Sequence, residues 1–184
     1  MELSYWTATW AILVPGILYA SWVDGSQKRV PNWLNALLLG SGFAMQSLHP
    51  QGGGWTMALG GALVGFGVLI VPWMVHGMGA GDVKLMAAIG AWFGPEMTLW
   101  AFVVGAMLGA VIAVIMIVSS GRVRQARTNM TTIMVKMSNP AHWFTDFGGA
   151  KTFGDSSQLL PYGIPLTIGS IFVLTGVVSN WWSF

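Results

Sequence analysis

Two acids in this sequence, Asp24 and Asp82, sit where an acid is expensive. The chain has only six acidic residues. Glu2 and Glu96 read as solvated ends of apolar stretches, and Asp146 and Asp155 lie in a polar segment where charge needs no explanation. Asp24 closes one long uncharged run, and Asp82 follows Gly77-Met78-Gly79-Ala80-Gly81 and opens another. Acids beside an apolar span call for a reason. One reason is structural: Asp24-Gly25 as an ordinary turn, and Asp82 as the N-cap of a helix starting at Val83. The other is chemical. Two carboxyls that share one proton can hydrolyse a peptide bond, with the ionised one activating water and the protonated one polarising the scissile carbonyl. Such a pair titrates as a unit.

The elements that must position these acids follow from composition. Of 184 residues, 54% are hydrophobic and only 8% charged, against roughly 25% charge in soluble domains. The mean hydropathy is +0.65. Glycine occurs 25 times and tryptophan 11 times. Small residues let helices approach closely in a membrane, and tryptophan collects at its interfaces. The expected fold is all-α, a polytopic membrane protein of about six transmembrane helices in one membrane-embedded domain covering 1–184. There is no cysteine, which excludes disulfides and thiol chemistry. The net charge of +2 gives no reason to expect nucleic acid.

The spans are read from the gaps between charges, since a bilayer core takes about 20 helical residues. Glu2 and Asp24 bracket 21 uncharged residues, and Val30 to Gly81 is a further run of 52. The turn His49-Pro50-Gln51-Gly52-Gly53-Gly54 divides the second run. The expected spans are 4–23, 31–48, 55–75, 82–93, 97–118 and 161–182, with a cytoplasmic loop over 119–160. Gly94-Pro95 ends the short fourth span, which must be thin, tilted or buried among other helices. All eight basic residues (Lys28, Arg29, Lys84, Arg122, Arg124, Arg127, Lys136 and Lys151) then fall in odd-numbered loops or, for Lys84, beside one. Basic residues accumulate on the cytoplasmic side, so both acids are expected at the cytoplasmic boundary and both termini outside. Pro15-Gly16 and Pro72 are expected to kink their helices.

The glycines before Asp82 allow close approach of another chain. An extended strip over 79–81 is expected to accept a substrate backbone by strand addition; the plainer reading is a flexible turn. Gly79-Ala80-Gly81-Asp82-Val83-Lys84-Leu85 resembles the GxGD signature of the type IV prepilin peptidases, which are intramembrane aspartic proteases. Asp24, followed by Lys28-Arg29-Val30-Pro31-Asn32-Trp33-Leu34, resembles that family's first aspartate motif. Leu160-Pro161-Tyr162-Gly163-Ile164-Pro165 is similar to the start of its last helix. The resemblance implies Asp24 and Asp82 as the catalytic dyad. Gly79 and Gly81, from the glycine strip, and Lys84, from its place beside Asp82, are expected to bind substrate, with Lys84 also readable as a topology-setting cytoplasmic lysine. The resemblance implies prepilins and pseudopilins as substrates, cleaved on the cytoplasmic side of the bacterial inner membrane after a glycine that precedes an apolar helix. The lack of a cysteine-bearing cytoplasmic domain resembles the short form of tight-adherence (Flp) pilus systems, with protease activity and no methyltransferase.

His49, His76 and His142 show no ligand spacing, so neither metal nor cofactor is expected. Trp6, Trp10, Trp22, Trp33, Trp55, Trp73, Trp181 and Trp182 read as interfacial anchors. In 121–137, Val123, Ala126, Met130, Ile133, Met134 and Met137 recur at helical spacing, opposite most of the arginines. That pattern fits an amphipathic helix on anionic lipid, or else a plain linker. Two further functions fit the sequence. A proton-coupled transporter would use the acids as a relay, although relay acids favour the midplane between matched halves. A non-catalytic pilus or secretion assembly factor would carry a silent dyad.

Overall fold

The structure, a computed structural model, describes residues 5–27, 29–49, 52–74, 78–119, 131 and 162–181. The 121–137 segment, Asp146 and Asp155 lie outside the described residues, apart from Thr131. Among the described residues every regular element is helical. α1 (Tyr5–Ala8), a π turn (Thr9–Leu13) and α2 (Val14–Gln27) form one continuous rod. α3 spans Asn32–Leu48, α4 Trp55–Met74, α5 Ala80–Ser119 and α6 Gly163–Val178. Tyr5–Gln27, Trp55–Met74 and Ala80–Met116 are long and apolar enough to cross a membrane, and Gly163–Val178 is apolar but shorter.

The outside of the bundle is as apolar as its inside. Leu63, Met107, Val111 and Ile115 all point outward and are exposed, a surface suited to lipid rather than water. Without a hydrophobic difference between lipid and core, helices associate through close backbone packing. Glycine provides it. A β carbon on Gly61 would strike the Gly90 carbonyl, one on Gly90 the Gly61 carbonyl, and one on Gly65 the Met86 carbonyl. These contacts lock α4 against the start of α5. Gly169 meets Gly105 and Ala101 in the same way and locks α6 against α5.

The π turn has a local cause. Pro15 supplies no N–H and its ring crowds the preceding turn. The Val14 N–H accordingly reaches back to the Thr9 carbonyl, the wider spacing of a π turn. α3 begins after Pro31, held extended at φ −62°, ψ 129°, and ends at His49, extended at φ −81°, ψ 135°, as befits a residue preceding Pro50. Gly54 at φ +85° turns the chain into α4, a conformation that favours glycine. α5 breaks at Gly94, where φ is 76° and ψ is 176°, giving helical pieces over 80–93 and 95–119. The short first piece is enclosed: Leu85, Met86, Ala88, Ile89, Ala91 and Trp92 are all fully buried.

α3 and α5 run in the same direction. Asn35 meets Gly81 near their starts, and Gly42 meets Ala91 and Trp92 further along. Around Trp92 a polar lock closes the far end of the bundle. The Trp92 indole N–H donates to the Leu38 carbonyl at 2.9 Å. Its own carbonyl accepts from Gln46 Nε2 at 2.9 Å and from the Tyr5 hydroxyl. Gln46 Oε1 takes the Gly53 N–H at 2.7 Å.

Candidate active site

Two features of the helix ends differ from the sequence reading. The first helix does not stop before Asp24 but runs to Gln27. Asp24 therefore projects from a regular helix, and no turn forms at Asp24-Gly25. α5 starts at Ala80, so 79–81 is not an extended strip. Ala80 and Gly81 already belong to the first turn of that helix. Asp82 lies in the first turn of α5, close to the N-cap reading.

Asp24 and Asp82 are only 5% and 4% exposed, although they lie far apart in sequence. The fold brings them near enough for the charge of Asp24 to act on the Asp82 carboxyl. Each also lies at the start of a helix, where the helix dipole favours negative charge: Asp24 against the head of α6 and Asp82 in the first turn of α5. The Gly163 N–H, at the head of α6, donates to Asp24 Oδ2 at 3.1 Å. Gly79 lies beside the Asp82 carboxyl, and the Asp82 N–H donates to the Gly79 carbonyl at 3.2 Å. One carboxyl oxygen, Asp82 Oδ1, is buried with no hydrogen-bond partner among the described residues.

The Asp24 side of the site is fastened one turn earlier. Ser21 Oγ donates to the Gly163 carbonyl at 2.9 Å and is 2.5 Å from the Thr167 hydroxyl. Thr167 also reaches the Ile17 carbonyl at 3.2 Å. These bonds hold α2 and α6 in register. The Asp82 side is fastened by Val30 and the first turn of α3. Val30 packs on Gly81, Asn35 Nδ2 donates to the Gly81 carbonyl at 3.2 Å, and Lys84 Nζ donates to Asn32 Oδ1 at 3.0 Å.

Of the expected site residues, Asp24, Asp82 and Gly79 come together. Gly81 is covered by Val30 of the same chain, because a β carbon there would stand 3.1 Å from Val30 Cβ. Lys84 is exposed and bonds Asn32. Gly163, Ser21, Thr167, Asn35 and Tyr162 escaped sequence reasoning as site residues. Only Tyr162-Gly163 carried a signal, as part of the last-helix motif. The Tyr162 hydroxyl lies in the field of Asp82. It also lines an apolar cleft of about 400 Å³ with Met78, Leu69, Gly105, Ala106 and Pro165. Among the described residues no cluster of side chains has the make-up to hold a metal ion.

Residues 11–114, which include both acids, match the type IV leader peptidase family. The chain belongs to that family. It is 33% identical over 129 residues to a prepilin leader peptidase/N-methyltransferase of Xanthomonas campestris pv. campestris, covering 65% of this chain and 44% of the relative. Proteins of the same description match from Aeromonas hydrophila (32% identity, 56% of this chain, 40% of the relative) and Stutzerimonas stutzeri (37% identity, 55% and 38%). The chain thus spans about two fifths of the length of the curated relatives it matches. No solved structure matches it.

Proposed function

We propose that the protein is an aspartic endopeptidase that removes the leader peptides of type IV prepilins, of the Flp-like kind, and of pseudopilins. It works at the cytoplasmic face of the bacterial inner membrane. The observation that carries this reading is the meeting of Asp24 and Asp82 as buried acids at adjoining helix ends. One carboxylate takes a proton from water as the water oxygen attacks the scissile carbonyl carbon. The other carboxyl gives its proton to the carbonyl oxygen. Collapse of the tetrahedral intermediate breaks the C–N bond, and a proton from the dyad leaves with the new amine. No metal or cofactor enters this scheme.

The relatives' printed activity supports the substrate class, and the Flp-like kind rests on the sequence resemblance. The side of the membrane rests on Arg29 and Lys84, which flank the same end of the bundle as the acids. The cleft beside Tyr162 supports a membrane-anchored substrate. A chain passing from the dyad toward lipid must be apolar and must satisfy its own backbone.

The test is co-expression with a candidate prepilin and observation of its size. Asp24→Asn and Asp82→Asn should each abolish cleavage while the protein still inserts and melts near the parent temperature. Glu96→Gln, at the other end of the bundle, should cleave normally. Near-parental cleavage by either Asp variant removes that residue from the dyad.

A further inference from the structure

Asn35 is a polar side chain where helix packing would accept an apolar one. It lies in the first turn of α3 beside buried Leu34 and Leu38 and is itself only 4% exposed. Its Nδ2 donates to the Gly81 carbonyl at 3.2 Å, the carbonyl of the peptide unit that carries the Asp82 nitrogen. The N–H edge of that unit is bound to the Gly79 carbonyl at 3.2 Å. The peptide plane leading into Asp82 is therefore held at both edges, once by its own loop and once by Asn35. The Val30 backbone closes over Gly81 and keeps α3's connection against this unit.

The other half of the amide has no such use. Asn35 Oδ1 is buried and has no hydrogen-bond partner among the described residues. A buried, unpaired acceptor is destabilising. Leucine, branched at the same carbon though larger, carries no polar atom and would avoid that cost. The half of the amide that is used holds the peptide unit leading into Asp82.

We propose that Asn35 is a positioning residue. By fixing the Gly81–Asp82 peptide it sets the direction of the Asp82 carboxyl relative to Asp24. This rests on the reading of the two acids as a dyad, so the test includes a readout independent of cleavage. The chain has no cysteine, and an Asp24→Cys/Asp82→Cys double variant carries only two thiols. Their rate of cross-linking by a short bis-methanethiosulfonate is measured with and without Asn35→Leu. In the protein with both acids intact, kcat, KM and Tm are measured for Asn35→Leu and for Asn35→Gln, which keeps a donor.

Asn35→Leu is expected to slow cross-linking and to lower kcat about tenfold, with KM within about twofold and Tm equal or higher. Asn35→Gln is expected to retain part of both. Parental cross-linking and kcat in Asn35→Leu overturn the proposal. So does a Tm that falls in step with kcat while cross-linking of the folded protein is unchanged. If the thiols fail to cross-link in the Asn35 background, the two positions are not neighbours, and the dyad reading falls together with this one. If they cross-link but the parent protein cleaves nothing, cross-linking alone decides the role of Asn35.

Discussion

The Gly163 N–H donates to Asp24 Oδ2 at 3.1 Å, and a β carbon on residue 163 would lie 2.9 Å from that same oxygen. The bond that orients one acid therefore depends on the absence of a side chain. Gly163→Ala should push the Asp24 carboxyl aside. Cleavage should fall by about two orders of magnitude, the scale of a displaced catalytic group, while Tm changes by only a few degrees. Steady-state kinetics beside a melting curve in detergent measure both, and a parental kcat would show that Asp24 tolerates the shift.

The glycines before Asp82 should separate into two behaviours. An open strip over 79–81 would make Gly81→Val lose activity without losing stability. The packing of Val30 on Gly81 changes that expectation. A β carbon there would stand 3.2 Å from the Val30 nitrogen, so Gly81→Val should lose Tm and activity together. At Gly79 a β carbon meets Asp82 Oδ2 at 3.4 Å, an ordinary contact. Gly79→Val should fold normally and cleave poorly. Equal melting temperatures for the two variants would contradict this difference.

Ser21 ties α2 to α6 one turn ahead of Asp24. Ser21→Ala leaves the Gly163 carbonyl and the Thr167 hydroxyl short of a partner, at a cost of about 1–3 kcal/mol. Because the same bonds register Asp24 against Gly163, kcat should fall as well. A drop in Tm with unaltered kcat per folded molecule would confine Ser21 to the fold.

Gln46 provides the contrast. It bonds Trp92 and Gly53 at the end of the bundle away from the acids. Gln46→Leu should cost about 1–3 kcal/mol, visible as a lower Tm. The kcat of the protein that remains folded should equal the parent value. A selective loss of kcat would reveal coupling between the two ends.

Reporter fusions test which face holds the site. Fusions after Arg29 and after Ser119 should report cytoplasm, and a fusion at Gly53 should report the outside. α3 carries the chain from the Asn35–Gly81 contact to the Gly53 turn, so the same reading at Arg29 and Gly53 would show that α3 does not cross.

Much of this protein was legible in its sequence because a membrane imposes simple demands. Apolar length between charges marked the helices, since buried backbone must bond within its own helix. Gly94-Pro95 marked the break in α5. Asp24 and Asp82 stood out because a carboxyl near an apolar span is costly, and the motifs around them and around Tyr162-Gly163 carried the family resemblance. The sequence could not say that the first helix runs on past Asp24, since Asp24-Gly25 is locally as good a turn as a helical step. Nor could it say that Gly81 is covered by Val30, or that Asn35 bonds the carbonyl of the peptide leading into Asp82. Those facts depend on which helices lie side by side. That arrangement is decided by the fit of backbones at Gly61–Gly90, Gly65–Met86 and Gly105–Gly169. Such contacts join residues distant along the chain, and no local pattern of residue types encodes them.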